Sequence, residues 1–181
     1  MSKGLFRRAV SLLAAAVLIL PLLIPAVPAA QNDGIVIIRT VSDFLELAKN
    51  CTLDTWSQGK IVRLEADLDL SGSGFAPIPT FGGTFDGSGH TISGLSITAD
   101  GSHQGLFRYL QPGGQVENLN VRGTVAPGGS AEQVGGIVGC NRGTLSLCSF
   151  TGTVKGSADV GGIVGVNEAS GRVTGCTSIV N

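Results

Sequence analysis

Charge and aromatic rings are scarce in this chain. Only 14% of its 181 residues are charged and 5% are aromatic, with a single Trp, a single Tyr and a single Met. Basic residues do not outnumber acidic ones, twelve against thirteen, which removes the electrostatic footprint of a nucleic-acid binder. The two histidines, His90 and His103, share no metal-ligand spacing, and no His-Glu-x-x-His motif occurs. Gly87-Ser88-Gly89 lacks the third glycine and the following helix that a phosphate loop needs. Four cysteines are present, at spacings that match no zinc pattern. No catalytic, cofactor-binding or metal-binding residue is therefore assigned, and no cofactor is expected.

Long apolar runs are confined to the N-terminus. Lys3, Arg7 and Arg8 precede an apolar stretch from Ala9 to Ile24, broken only by Ser11 and Pro21. Val27-Pro28-Ala29-Ala30 then offers small residues for cleavage. This is the layout of a signal peptide over residues 1–30, and it places the protein outside the cytoplasm, secreted or at the cell surface. Pro21, Pro25 and Pro28 argue against a continuous spanning helix, so membrane contact is expected only through this segment if it stays uncleaved. Its removal takes three basic residues and no acidic one, leaving nine against thirteen and a net charge of −4. The remaining ~150 residues suffice for one domain with a real core.

What the chain has in abundance is glycine, 28 residues, roughly twice average usage. The glycines fall at regular places beside β-branched residues. Val134-Gly135-Gly136-Ile137-Val138-Gly139-Cys140-Asn141 recurs 26 residues later as Val160-Gly161-Gly162-Ile163-Val164-Gly165-Val166-Asn167, with one difference. A repeat of this length is one supersecondary unit that buries its apolar face on its neighbour. In this register Leu119, Cys148 and Cys176 share one position, Ile137 lies beneath Ile163, and Val138 lies beneath Val164. The Gly pairs mark bends with no room for a Cβ. Two accounts of the cysteines stay open: a Cys148–Cys176 disulfide, or a ladder of small apolar core residues.

Upstream, Ile35–Ile38 reads as a strand. Thr40 with Asp43 has capping-box spacing for a helix that Asn50 could close, with Ser42 a rival N-cap. Ile61–Leu64 is the next strand, and residues 71–83 read as loop. Short strands then follow without further helices, which predicts an all-β solenoid built from parallel sheets. The boundaries expected are a strand-plus-helix cap over residues 31–60 and the repeats over 61–181, incomplete at the C-terminus.

The phrase Gly-Gly-Ile-Val-Gly-x-Asn resembles the GLUG motif of bacterial surface proteins. Phe81 to Leu95 and Gly105-Leu106-Phe107 look like the segments that accompany such repeats. The resemblance implies a right-handed parallel β-helix with the Thr40–Asn50 helix capping its N-terminal end. It also implies a setting in adhesin-like chains or in the non-catalytic part of IgA-specific metallopeptidases. The absent His-Glu-x-x-His motif keeps the peptidase activity from being carried over, and no Leu-Pro-x-Thr-Gly sorting signal is found.

The residues singled out are structural. Gly135, Gly136, Gly139 and Asn141, with Gly161, Gly162, Gly165 and Asn167, form the repeat, each Asn tying a turn. Asp86, Gly87 and Gly89 form a tight turn in which Asp86 bonds backbone two residues on. Asp67 and Asp69 alternate with Leu68 and Leu70, which reads as a solvated outer face. His103 reads as a solvated loop residue. The expectation is a non-catalytic structural or adhesive module that meets a host glycan or an extracellular protein and self-associates through an open C-terminal rung. The rival is a carbohydrate-active β-helix, or the accessory region of a larger secreted enzyme such as a metallopeptidase. Function is expected where the copies differ, in the loops 126–133, 155–159 and 168–172.

Overall fold

The computed structural model describes residues 34–181; the leader expected over residues 1–30 lies outside them. In chain order the elements are β1 (Ile35–Ile38), α1 (Val41–Asn50), β2 (Ile61–Leu64), β3 (Leu68–Asp69), β4 (Ile78–Phe81), β5 (Thr84–Asp86), β6 (Thr91–Ile97) and β7 (Phe107–Leu110). There follow β8 (Gln115–Glu117), β9 (Asn120–Val125), β10 (Glu132–Gly135), β11 (Val138–Asn141), β12 (Thr144–Ser146) and β13 (Ser149–Val154). The last are β14 (Ala158–Gly161), β15 (Val164–Asn167), β16 (Arg172–Thr174) and β17 (Thr177–Val180).

All strand pairs are parallel, and the chain winds as a β-solenoid of about five turns. Each full coil visits three sheets in turn: β1-β2-β5-β8-β12-β16, then β3-β6-β9-β13-β17, then β4-β7-β11-β15. The register stacks like on like. Val62, Phe85, Val116, Leu145 and Val173 form one column, and Leu68, Ile92, Val121 and Phe150 another. Val138 sits on Val164, and the Ile137 amide donates to the Ile163 carbonyl. Leu119, Cys148 and Cys176 share a level, because the residues that follow them, Asn120, Ser149 and Thr177, are paired.

The scarce aromatics are concentrated at the N-terminal end of the core. Phe85 meets Phe44, Phe81 and Phe107 at centroid separations of 6.2, 6.2 and 5.5 Å, and Phe75 stacks on Phe44. Phe44 and Leu47 are the buried face of α1, which packs on β1 and β4. In the first coil α1 therefore occupies the path that later coils use for second- and third-sheet strands. Its start is fixed locally. Thr40 Oγ1 accepts the Asp43 amide at 3.2 Å, and Asp43 Oδ2 accepts the Thr40 and Arg39 amides. These bonds, the Arg39 amide foremost, hold the Asp43 carboxyl below its usual range. Thr40, not Ser42, is the N-cap.

Three stretches read as loop contain strands. Residues 71–83 include β4, despite Pro77 and Pro79. Ile78 and Thr80 pair with Phe107 and Tyr109, and β4 ends its sheet, so the N–H missing from Pro79 interrupts no ladder. The loops at 126–133 and 155–159 carry the beginnings of β10 and β14, which form a two-stranded sheet of their own. Thr91–Ile97 is one strand, with a register shift between Ile92 and Leu95 where Gly94 adopts φ +67°.

One turn column exposes a strain. Asn118, Leu147 and Gly175 occupy equivalent turns at φ 52°, 53° and 61°. Asn and Gly tolerate this left-handed region, whereas Leu, 65% exposed here, gains no burial in exchange. Leu147→Gly is expected to stabilise the protein by ~0.5–1 kcal/mol, measured by urea denaturation; a loss of stability would count against left-handed strain at this turn. A second expectation separates the coils. Ile137 is fully buried and Ile163 only partly. Ile137→Ala should cost ~2–5 kcal/mol, and Ile163→Ala distinctly less; equal losses would contradict the coil-by-coil burial.

Candidate functional site

The copied phrase holds the coils together at their bends. A Cβ on Gly136 would run into the Gly162 carbonyl and the Phe150 ring, and one on Gly162 into the Ser178 side chain. A Cβ on Gly139 would strike the His103 backbone, and one on Gly165 the Gln133 backbone. Gly135 and Gly161 crowd the carbonyls of Val138 and Val164. Asn141, fully buried, donates from Nδ2 to Asn167 Oδ1 at 2.7 Å and accepts the Gly143 amide at 3.0 Å. Asn167 in turn donates to the Gly171 carbonyl. In the earlier turn, Asp86 Oδ1 accepts the Ser88 amide at 2.8 Å, while Oδ2 lies 3.3 Å from Arg63 Nε. Burial alone would raise the Asp86 carboxyl; the Ser88 amide, Asn118 and Arg63 outweigh it and hold it low. Gly87 leaves no space for a Cβ beside Leu119, and Gly89 takes φ +80°.

Asp67 and Asp69 are engaged rather than idle. Asp67 Oδ1 accepts the Thr91 amide at 2.9 Å and lies 3.0 Å from His90 Nδ1, a pairing across one coil. Asp69 accepts the Ser71 amide. Hydrogen bonding, from Thr91 and His90 in one case and Ser71 in the other, lowers both carboxyls. Among the described residues no group of three or more His, Cys, Asp or Glu converges on a common point.

The site that sequence reasoning missed is a cleft of about 440 Å³ on the third sheet. Pro79 and Thr80 of β4, Arg108 to Leu110 of β7, Gln111-Pro112 after it, Arg142 after β11 and Asp54 line it. Gln111 anchors the floor. Its Nε2 donates to the Asp54 carbonyl and to Thr80 Oγ1 at 2.7 and 2.8 Å, and its Oε1 accepts from Gln58. Tyr109 is braced by His103, whose ring stacks on it at 4.8 Å. His103 is thus a partly buried packing residue at φ 58°, not a solvated loop side chain. Burial, with Arg108 nearby, lowers its pKa and favours the neutral imidazole. Arg108 Nη2 donates to the Ser102 carbonyl at 3.2 Å, while its buried Nε has no partner. Arg142 Nη2 stands 3.9 Å from Glu168 Oε1, an ion-pair separation beyond hydrogen-bonding reach.

Extending the copied phrase one coil back would have located the cleft. Phe107 pairs with Val138 and Tyr109 with Cys140, so Arg108 occupies the level of Gly139 and Pro79 the level below. The phrase is degenerate there, and its substitutions hid it.

Residues 130–155 match the family model described as the GLUG motif. The chain carries a GLUG motif. The GLUG segment spans β10 to β13, one coil of the solenoid. A protein named Halomucin, from Haloquadratum walsbyi, is 39% identical over 136 residues, covering 66% of this chain and 2% of its own length. A protein named as a Gly-rich membrane protein, from Evansella cellulosilytica, is 34% identical over 94 residues, 49% of this chain and 11% of its own. The chain thus spans a small fraction of these relatives' length. No solved structure matches it. Among the described residues no helix is long and apolar enough to cross a membrane.

All four cysteines are free thiols, and Cys51, Cys140 and Cys148 are buried. Cys148 donates to the Ser146 carbonyl at 3.2 Å. Burial pushes the Cys51 thiol up to about 11 and that of Cys148 up to about 12. Both folded values lie above the ordinary value of 9.0, so the stability linked to the neutral thiols is complete below pH 9. It is lost as pH rises towards 11 and 12. Urea denaturation of the protein should show this alkaline decline, and Cys51→Ala/Cys148→Ala should flatten it; an identical decline in the double variant would contradict the assignment.

Proposed function

We propose that the chain is a non-catalytic structural and adhesive module of an exported surface protein, extended by stacking further coils of the same kind. The observation that carries this reading is the contrast between matched residues of successive coils. Val134 is fully buried, whereas Val160 above it is 45% exposed; Leu145 is fully buried, whereas Val173 above it is 39% exposed. Among the described residues, β15, β16 and β17 have a strand on one side only. A further coil in register would satisfy those backbone groups and cover those side chains.

The reading of location draws on two supports: the basic-then-apolar N-terminus, and relatives whose names are Halomucin and a membrane protein. The adhesive part rests on the cleft, an open depression on a rigid sheet rather than on a loop. The open rung is also the surface through which we expect self-association.

A chain lengthened by a tandem copy of residues 154–181 tests the stacking role. Its first residue falls at the level of Val154, since Val180 pairs with Gly152. The melting temperature is expected to rise by a few degrees, because burying Val160 and Val173 is worth ~1.5–3 kcal/mol each at full cover. No gain in melting temperature would overturn the proposal that this end accepts another coil.

A further inference from the structure

We propose that the cleft between β4, β7 and β11 binds an acidic glycan, seating a carboxylate or sulfate group between Arg108 and Arg142. The assignment deepens the adhesive reading above and names its ligand class. It does not depend on the stacking result, so either can fail alone.

Two guanidinium groups line the cleft, those of Arg108 and Arg142. Arg108 makes one hydrogen bond through Nη2 and leaves a buried Nε without an acceptor. Arg108 nonetheless lines the cleft, where the rest of its guanidinium can take an acceptor from a ligand. Arg142 lines the same cleft, and Glu168, at 3.9 Å, makes no close bond with it. Planar guanidinium groups match the oxygens of a carboxylate or sulfate in a way ammonium groups do not.

The rest of the lining favours a sugar over other anions. Thr80 supplies a hydroxyl and Asp54 a carboxylate, an acceptor for sugar hydroxyls and a repulsive neighbour for a continuous polyanion. Tyr109 offers an aromatic surface that His103 holds in place, suited to the C–H face of a pyranose. The volume, about 440 Å³, lies in the range of small-ligand sites. Gln111 is fully bonded to Asp54, Thr80 and Gln58, so the floor is formed before any ligand arrives.

Calorimetric titration of the full chain with oligogalacturonate, dextran sulfate, neutral dextran, poly-glutamate and oligothymidylate provides the test. Binding to oligogalacturonate or dextran sulfate is expected, with the preference identifying the acidic group. Arg108→Gln and Arg142→Gln should each weaken it by about tenfold or more, while Arg172→Gln, on β16 away from the cleft, should not. Thermal melts establish that each variant is folded, and exposed Arg142 provides a variant with little structural risk. Equal binding of neutral dextran, equal binding of poly-glutamate or oligothymidylate, undiminished binding by Arg142→Gln, or no glycan binding would each overturn the proposal.

Discussion

The constraint on which everything else depends is backbone lying on backbone at the bends. A parallel stack has no short hairpins to set its register. Each coil must turn at the same level as the one beneath, and the turns must approach closely enough for the ladders to close. Gly136 against the Gly162 carbonyl and Gly139 against the His103 backbone mark the places where even a Cβ would separate the coils. The buried Asn141–Asn167 pair serves the same alignment with directed bonds, linking two coils and accepting the Gly143 amide. With those contacts in place, the columns of Val, Ile, Leu and Phe follow from register alone.

This explains what was legible in the sequence. The phrase beginning at Val134 repeats because its glycines and Asn have few substitutes, and two near-identical copies are enough to expose the period. The pairing of Val138 with Val164 and the common level of Leu119, Cys148 and Cys176 follow from that period. The capping box was equally visible, since Thr40 and Asp43 act on each other's amides without help from the rest of the chain. β4 was hidden for the opposite reason. Pro77 and Pro79 signal loop in local terms, and only the position of β4 at the end of its sheet makes the proline acceptable. The short strands β10 and β14 were obscured by the polar turns around them.

The cleft was hidden because it arises where the repeat fails. At the level of Gly139 and Gly165 the earlier coils carry Arg108 and Pro79, and at the level of Cys140 and Val166 they carry Tyr109 and Thr80. Glycine at that level lets a neighbouring segment lie flat against the sheet. Arginine and proline cannot, so the surface opens. The expectation that function lies where copies differ was directed to the loops at 126–133, 155–159 and 168–172; of these only the last comes near the cleft, through Glu168.

In the later coils the equivalent level is covered by a segment of the coil before, His103 against Gly139 and Gln133 against Gly165. The irregular first coil makes the difference. α1 replaces two strands, and the segment after it brings Asp54 and Gln58 to Gln111, forming a wall that no later coil can supply. The cap and the cleft are therefore one construction, joined through the floor residue Gln111. β15 lies at the opposite end of the same sheet from β4. In a linear stack each coil acts mainly on its neighbours, so a change at β15 has little energetic reach to β4.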